Sequence, residues 1–261
     1  MNGARITPVV LTLDEAPNIE RTLAPLAWAG RVLVVDSGSR DGTQDLARRF
    51  ANARIVERTF DSHATQWGFG IRHPEVATDW ILALDADWVL TPELASEIQA
   101  LDLDAPPRGY RLRFRYCIGG RPLRGSLYPP AIALYDRRVT RVEQEGHAYR
   151  ARVAGPVAQL AGACLHDDRK PHARFLASQR SYANLEAARL QATRWSDLSW
   201  SGRVRKMRWV APWAAPLYAL FFRGVVLDGS AGMVYARQRF IAERELARAL
   251  TELAQQRAAM R

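Results

Sequence analysis

Cysteine is scarce in this sequence. Cys117 and Cys164 are the only two among 261 residues, and no short spacing relates them. A disulfide framework or a thiolate zinc site is therefore not expected, and a reducing compartment is the default. Residues 1–12 also lack the basic start and the long apolar run of a signal peptide, which predicts a cytoplasmic protein.

Acidic residues are outnumbered by basic ones. The chain has 27 Asp and Glu against 37 Lys and Arg, which gives a formal net charge of +10. This excess suits an anionic partner, whether nucleic acid, a phosphorylated ligand or an anionic membrane surface. Nucleic acid is disfavoured, because the basic residues are scattered and no recognisable binding motif is present.

The apolar residues predict an α/β fold. They make up 48% of the chain, so a packed core is expected and disorder is not. Short apolar runs at 9–13, 31–35, 54–57 and 80–84 alternate with helical patterns. Such alternation is typical of a largely parallel sheet covered by helices on both faces. In sheets of this kind, ligands bind beyond the carboxyl ends of the strands.

Two carboxylates follow the fourth apolar run, in Asp85-Ala86-Asp87. In extended geometry their side chains point to the same side, so both can reach one divalent cation or one ribose-diphosphate. Oxygen ligands of this kind suit Mg²⁺ or Mn²⁺. An isolated pair of acids is more often a solvated turn, but the buried strand before this pair favours a metal site.

A further acid, Asp36, ends the second apolar run. At a strand end it can hydrogen-bond a ribose or the imide edge of uracil. Ser37 and Gly38 then allow a tight turn, and Asp41 or Thr43 can cap the following helix. The capping residues are structural, whereas Asp36 is predicted to act on a ligand.

Three motifs of this sequence carry a resemblance to a known family. Thr12-Leu13-Asp14-Glu15, Val35-Asp36-Ser37-Gly38-Ser39-Arg40-Asp41-Gly42-Thr43 and Leu84-Asp85-Ala86-Asp87 stand in the order and approximate spacing of family 2 glycosyltransferases. The sequence most resembles the lipopolysaccharide-core β-glucosyltransferase-like branch, and the likeness extends to the tail at 223–232. It implies a GT-A fold, with a Rossmann-like mixed sheet and helices on both faces. It also implies a nucleoside-diphosphate sugar donor and inversion at the anomeric carbon.

The resemblance assigns residues to the donor site. The nucleoside pocket would be lined by Asp14 or Glu15, Asp36 and Ser37. The metal ion, Mn²⁺ or Mg²⁺, and the diphosphate would be bound by Asp85 and Asp87. We expect a UDP-sugar as donor and, as acceptor, a hydroxyl of a glycan or a lipid-linked molecule of the cell envelope.

The general base is expected in the segment 143–147, because in this family it lies downstream of the metal motif. Inversion requires the acceptor hydroxyl to attack from the face opposite the leaving diphosphate, with a carboxylate or imidazole within hydrogen-bond reach. Glu145 is the first candidate, followed by His147 and Glu143. The alternative is a solvated acidic loop.

Two more polar segments are predicted to bind the nucleotide-sugar donor. His166 resembles the late histidine that completes metal or diphosphate binding in many GT-A enzymes, and Arg169 can neutralise phosphate charge. A lone histidine is more often structural, but this one lies among charges at a predicted strand end. In the segment 60–70, Gln66 is placed at the donor. The alternative there is a helix with Trp67 in the core.

The segment 194–223 combines tryptophans with basic residues. Its apolar stretch, 209–222, is shorter than the ~20 residues needed to span a bilayer, and Pro212 and Pro216 interrupt it. Such a segment fits the interface of an anionic leaflet, and equally a helical hairpin packed on the catalytic domain. We therefore predict a GT-A catalytic domain at 1–193 and a helical, amphipathic extension at 194–261, for which the membrane interface and packing on the catalytic domain both stay open.

Two other functions compete with a single-displacement glycosyl transfer. A nucleotidyltransferase acting on sugar phosphates also uses an α/β fold and a carboxylate-bound metal. It would show a Gly-rich, basic phosphate loop after the first strand, where this sequence has Asp14-Glu15. A catalytically silent nucleotide-sugar-binding relative stays open, because the base is not fixed.

Overall fold

The computed structural model describes residues 2–145 and 148–259. The chain folds into two units. The first unit is made of Met1–Pro122, Tyr128–Gln144 and Ala148–Arg169. The second is made chiefly of Lys170–Arg261, with Leu123–Leu127 and Glu145.

A mixed sheet forms the first unit. The strands of the chain are β1 (Ile6–Thr12), β2 (Val32–Asp36), β3 (Ala53–Glu57), β4 (Trp80–Asp85), β5 (Trp88–Leu90), β6 (Gly109–Ile118), β7 (Arg121–Pro122), β8 (Ala131–Asp136), β9 (Thr140–Glu145), β10 (Ala148–Val153) and β11 (Val157–His166). The sheet order is β3-β2-β1-β4-β8-β6-β11-β5, with β7 paired to β6, while β9 and β10 form a separate ribbon. The helices are α1 (Ile19–Leu23), α2 (Thr43–Arg48), α3 (His63–Arg72) and α4 (Pro92–Ala100).

The strand directions bring the predicted site residues to one edge of this sheet. β1 is parallel to β2 and β4, and β2 is parallel to β3. β8 runs antiparallel to both β4 and β6, and β6 is parallel to β11. The carboxyl ends of β1, β2, β3, β4, β6 and β11 therefore share an edge. Along it, Thr12 lies opposite Asp36, and Leu11 lies opposite Asp85.

Apolar residues cover both faces of the sheet. On β4, Ile81 and Ala83 belong to one buried cluster with Trp67 of α3, whereas Leu82 and Leu84 belong to another with residues of α1 and α4. Successive residues of a strand point to opposite faces, so a continuous apolar run is needed when both faces are buried. The predicted α/β mixed sheet with helices on both faces is confirmed. Trp67 is fully buried inside α3, as the core alternative for the segment 60–70 proposed.

The second unit is helical. It contains α5 (His172–Ala192), α6 (Trp200–Lys206), α7 (Ala211–Leu217), a π-helical turn (Tyr218–Phe222) and α8 (Ser230–Ala259). Its core is a cluster of buried Ala and Leu residues from α5 and α8, with Leu198 between them in sequence. Within the described part of the chain, every helix is too short or too polar to cross a membrane. The predicted helical C-terminal extension is present, and its boundary after residue 193 stays a prediction.

Candidate active site

The Asp85-Ala86-Asp87 turn lies between β4 and β5 and is held from two sides. The Thr22 hydroxyl of α1 donates to the Ala86 carbonyl oxygen at 2.5 Å. The Asp167 amide donates to the Asp87 carbonyl oxygen at 2.9 Å. Because β5 pairs antiparallel with β11, the residue after Asp87 lies opposite His166. The backbone therefore brings the acidic turn next to the end of β11.

Asp87 and His166 meet at this junction. His166 Nε2 lies 3.4 Å from Asp87 Oδ2, and the two side chains are only 15% and 14% exposed. The imidazole is flanked by the rings of Tyr116 and Tyr128, at centroid distances of 4.8 and 4.5 Å. Its Nδ1 is buried without a hydrogen-bond partner among the described residues. The structure thus joins two of the three predicted metal ligands and fixes the plane of the ring.

Asp85, the third predicted ligand, ends β4 with its side chain half-buried. Burial and then the negative charges of Asp85 and Asp87 raise the pKa of Tyr128 well above its usual value. Both carboxylates therefore act on the same phenol, which stays protonated beside them. Over residues 2–145 and 148–259, no three His, Cys, Asp or Glu side chains lie close enough to hold a metal ion by themselves.

Asp36 is completely buried and organises the turn after β2. Its Oδ1 accepts hydrogen bonds from the backbone amides of Gly38 and Ser39 and from Gln44 Nε2, at 3.0, 2.8 and 2.9 Å. Its Oδ2 accepts from the hydroxyls of Thr12 and Ser39. Burial alone would raise the pKa of Asp36, but the hydrogen bonds from Ser39, Thr12 and Gln44 outweigh it and lower the pKa.

This arrangement limits how Asp36 can act on a ligand. A carboxylate has about four lone-pair sites, and the chain already fills them with five donors. The φ of Gly38 is +91°, a left-handed value that lets two successive amides turn onto one oxygen. The predicted contact of Asp36 with a nucleoside would have to share or replace one of these bonds.

Asp14 and Glu15 belong to the same loop network. Asp14 has a left-handed φ of +53°, and its Oδ1 accepts from the Arg40 amide at 2.8 Å. Its own amide donates to Ser39 Oγ at 2.8 Å. The amide of Glu15 donates to Thr43 Oγ1 at 2.7 Å. The loops after β1 and β2 are therefore cross-linked where the nucleoside was predicted to bind.

Ser37 and Gln66 connect that turn to α3. Gln66 is fully buried, and its Nε2 donates to Ser37 Oγ at 3.1 Å and to the Arg58 carbonyl oxygen at 3.2 Å. Its Oε1 accepts from the Arg58 guanidinium. The buried Gln66 side chain thus fixes the position of the Ser37 hydroxyl.

Asn18 is a central residue that the sequence analysis did not identify. The side chain is fully buried, and its Nδ2 donates to Glu15 Oε2 at 2.7 Å and to Asp168 Oδ1 at 3.0 Å. Its Oδ1 accepts from Arg21 Nη2 at 2.7 Å and from the Arg169 amide at 2.9 Å. The Asn18 amide therefore donates two hydrogen bonds and accepts two, and these bonds join the β1–α1 loop to the segment after β11.

Asp167 gathers two guanidinium groups beside His166. The residue is 4% exposed, and it accepts from Arg21 Nη1 at 2.6 Å and from Arg169 Nε at 2.9 and 3.0 Å. The amide of Gly120 completes its contacts at 3.1 Å. Arg169 is predicted to neutralise phosphate. Its ion pair with Asp167 holds the guanidinium, and 39% of the Arg169 side chain remains exposed.

The candidates for the general base are found in different surroundings. Glu145 ends β9 and is assigned to the second unit, where its charge acts on Arg189 of α5. Glu143 pairs with Arg152 on the surface of the β9–β10 ribbon, at 3.2 Å. Residues 143–145 form a strand rather than the loop considered as the alternative. His147 lies outside the described residues.

We expect the Asn18→Asp variant to be destabilised by about 2 kcal/mol although its shape is unchanged. The new carboxylate would lose both donated bonds and face the acids Glu15 and Asp168. Thermal unfolding followed by circular dichroism measures the loss. Asn18→Ala is the matched variant, because it removes the same bonds without adding charge. The explanation fails if Asn18→Asp is no less stable than Asn18→Ala.

Comparison with known proteins adds an independent finding. The model of the family described as "Glycosyl transferase family 2" matches residues 8–147. An uncharacterized glycosyltransferase of Rickettsia bellii (strain RML369-C) is 34% identical over 96 residues. That alignment covers 36% of this chain and 32% of the relative, so it spans about a third of the relative's length.

Solved structures with a similar arrangement include residues 1–349 of TarS from S. aureus. That chain has 15% identity and a TM-score of 0.48, and the alignment covers 94% of this chain and 83% of TarS. Mannosyl-3-phosphoglycerate synthase from Rubrobacter xylanophilus has 18% identity and a TM-score of 0.49, with coverage of 76% and 79%.

The family match includes the strands that carry the acidic motifs of the site, whereas β11 with His166 lies beyond it. It runs from β1 to the segment after β9 and contains Asp14, Asp36, Asp85 and Asp87. It covers more than half of the 261 residues. The chain therefore belongs to glycosyl transferase family 2.

Proposed function

We propose that this protein is an inverting glycosyltransferase. It moves a sugar from a nucleoside-diphosphate sugar, a UDP-sugar, to a hydroxyl of a glycan or lipid-linked acceptor of the cell envelope, as in the lipopolysaccharide-core branch. The observation that carries the proposal is the 3.4 Å approach of Asp87 to His166 at the sheet edge where the family motifs converge. Ligands of open α/β sheets bind at this edge.

A divalent cation fits the side chains at this junction. In many sites Mg²⁺ is bound by only one or two carboxylates, and substrate phosphates and waters complete the coordination. Asp85 and Asp87 supply such carboxylates, and the imidazole of His166 is a donor that Mn²⁺ also accepts. When bound, the ion would stabilise charge on the leaving diphosphate.

The residues of the chain divide the remaining work. Tyr116 and Tyr128 hold the ring of His166, and Asp167 holds Arg21 and Arg169 beside it. These two guanidiniums can bind diphosphate oxygens with the N–H groups that are not already donated to Asp167, Asn18 or the Pro17 carbonyl. The nucleoside would lie against the linked loops that contain Asp14, Glu15, Asp36 and Ser37, with Gln66 of α3 supporting Ser37.

Glu145 is proposed as the general base, with His147 as the other candidate. The base would take the proton of the acceptor hydroxyl as its oxygen attacks the anomeric carbon opposite the leaving diphosphate. We place the enzyme in the cytoplasm, on the inner face of the cytoplasmic membrane, where a lipid-linked acceptor presents its glycan.

A thermal-shift panel of UDP-, GDP-, CMP- and dTDP-sugars, with and without Mn²⁺, tests the donor half. We expect stabilisation by UDP-sugars that increases with Mn²⁺. A ligand at about one hundred times its Kd adds about 2.7 kcal/mol, which is a shift of several degrees for a chain of this size. Asp87→Asn is the matched variant, because it keeps the shape of the side chain and should lose the Mn²⁺-dependent part.

Other results of the panel separate the alternatives. If no nucleotide sugar stabilises the chain with or without Mn²⁺, the donor assignment is wrong. Stabilisation by a nucleoside triphosphate together with a sugar phosphate would favour a nucleotidyltransferase. Donor binding without transfer to any acceptor fraction would favour the silent relative.

A further inference from the structure

The second unit exposes large apolar side chains along residues 195–227, which we call the aromatic segment. Trp200, Trp209 and Phe222 are 78%, 86% and 80% exposed, and Trp213 and Phe221 are 64% and 66% exposed. Single apolar residues are common on protein surfaces, but runs of them mark contact with a protein, a ligand or a membrane. The aromatic segment therefore needs an environment other than water on its outer side.

The helical part of this segment has its large residues outside and its small ones inside. The buried positions of α7 and the π-helical turn are Ala211, Pro212, Pro216 and Ala219. Of the exposed ones, Trp213, Leu217 and Phe221 follow a spacing of four residues, which Trp209, just before α7, continues. Tyr218 and Phe222 form a second pair with the same spacing beside them. Residues four apart share one face of a helix, so the exposed side chains form a stripe. A surface helix in water shows the opposite distribution.

The charge of the segment is almost all of one sign, because its single acid, Asp197, stands near its start and pairs with Arg194 at 3.1 Å. Residues 198–227 contain no Asp or Glu, and they include Arg203, Arg205, Lys206, Arg208 and Arg223. Arg205 is neutralised by Glu243 at 2.7 Å and Glu186 at 3.5 Å.

The other cations of the segment bind neutral oxygens. Arg203 donates to the Trp195 and Ser196 carbonyls, and Lys206 donates to the Thr193 carbonyl. Arg208 donates to Thr251 Oγ1, and Arg223 donates to the Ser126 carbonyl. These bonds fix the side chains without cancelling their positive charge.

We propose that the aromatic segment lies on the surface of an anionic lipid bilayer, with Trp209, Phe221 and Phe222 inserted among the acyl chains. Indole rings favour the boundary between headgroups and acyl chains, and cations beside them bind anionic headgroups. A second copy of the chain fits less well, because the like-charged segments would face each other. The inference deepens the proposed function, because it names the membrane surface at which the acceptor would be met. It rests on the proposed function only in taking that acceptor to be a glycan or a lipid-linked molecule.

Flotation of the full chain with vesicles tests the inference without donor or acceptor. Vesicles of phosphatidylcholine alone are compared with vesicles of equal parts phosphatidylcholine and phosphatidylglycerol. The combined variant Trp209→Ser, Phe221→Ser, Phe222→Ser should bind the anionic vesicles at least about a hundredfold more weakly. The combined variant Arg203→Gln, Lys206→Gln, Arg208→Gln should lose about fivefold per charge, on anionic vesicles only.

Leu185→Ser is the matched control, because Leu185 is 49% exposed on α5 of the same unit but lies outside the segment. It should bind as the wild type does. Circular dichroism and thermal unfolding confirm that the variants fold.

Absence of wild-type binding to anionic vesicles overturns the inference, as does unchanged binding by the aromatic variant. A concentration-dependent dimer in sedimentation velocity that the aromatic variant abolishes, without vesicle binding, assigns the surface to a second copy instead. Each of these results leaves the donor panel unaffected.

Discussion

The Asp87→Ala variant should keep its fold and lose sugar transfer by about a thousandfold or more. The fold survives because the turn is held by the Ala86 and Asp87 carbonyl oxygens, which bind Thr22 and Asp167 and do not depend on the carboxylate. Transfer is lost because the charge that develops on the leaving diphosphate would no longer be met by an ion held beside His166. The measurement is the rate of nucleoside-diphosphate release with the donor that the thermal-shift panel selects.

Two further variants make this result specific. Asp87→Asn preserves volume and removes charge, so it should be nearly as inactive as Asp87→Ala. Asp45→Ala removes an aspartate that is 82% exposed on α2 and pairs with Arg48, and it should keep the wild-type rate. Wild-type turnover by Asp87→Ala would contradict the metal assignment, and so would equal losses in all three variants.

The acids at the strand ends could be predicted because their signal is local. Asp36 and Asp85 each close a short run of apolar residues, and such a run is what a strand buried on both faces requires. Parallel pairing then aligns their carboxyl ends without further information. The observed register, Thr12 opposite Asp36 and Leu11 opposite Asp85, follows from this arrangement.

The contacts of His166 and Asn18 could not be predicted, because their partners are distant in the sequence. Tyr116 lies opposite His166 only because β6 pairs in parallel with β11, about fifty residues away in sequence. Asn18 reaches Arg169 across 151 positions. α1 contains five residues, too few for a helical period to reveal which of its side chains face the site.

The C-terminal helices were predictable, but the side they expose was not. The patterns at 173–193 and 231–260 closely match α5 and α8. For α7, an apolar stripe normally predicts the face turned toward the core. Here Ala and Pro fill that face and Trp213 turns outward, so the sequence alone left both alternatives open.

The Asp36→Ala variant should lose roughly 3 kcal/mol or more of unfolding free energy. The amides of Gly38 and Ser39, the Gln44 side chain and the hydroxyls of Thr12 and Ser39 would lose the acceptor that links them. The truncation would also leave a gap where a fully buried side chain stood. Because the turn also positions Ser37, donor binding should weaken in parallel. Urea unfolding measures the first effect, and the thermal-shift panel measures the second.

Asp36→Asn should be milder than Asp36→Ala, because the hydroxyls of Thr12 and Ser39 can rotate and accept bonds from the new amide while Oδ1 keeps its three donors. The pH dependence identifies the charge. The pKa of Asp36 is lowered in the folded state, so its stabilisation is present above the ordinary pKa of an aspartate and disappears as the pH falls through the folded value. The difference in stability between the wild type and Asp36→Asn should therefore be full near neutral pH and shrink below about pH 4. A difference that stays constant with pH would show that the bonds of Asp36 contribute through shape and not through charge.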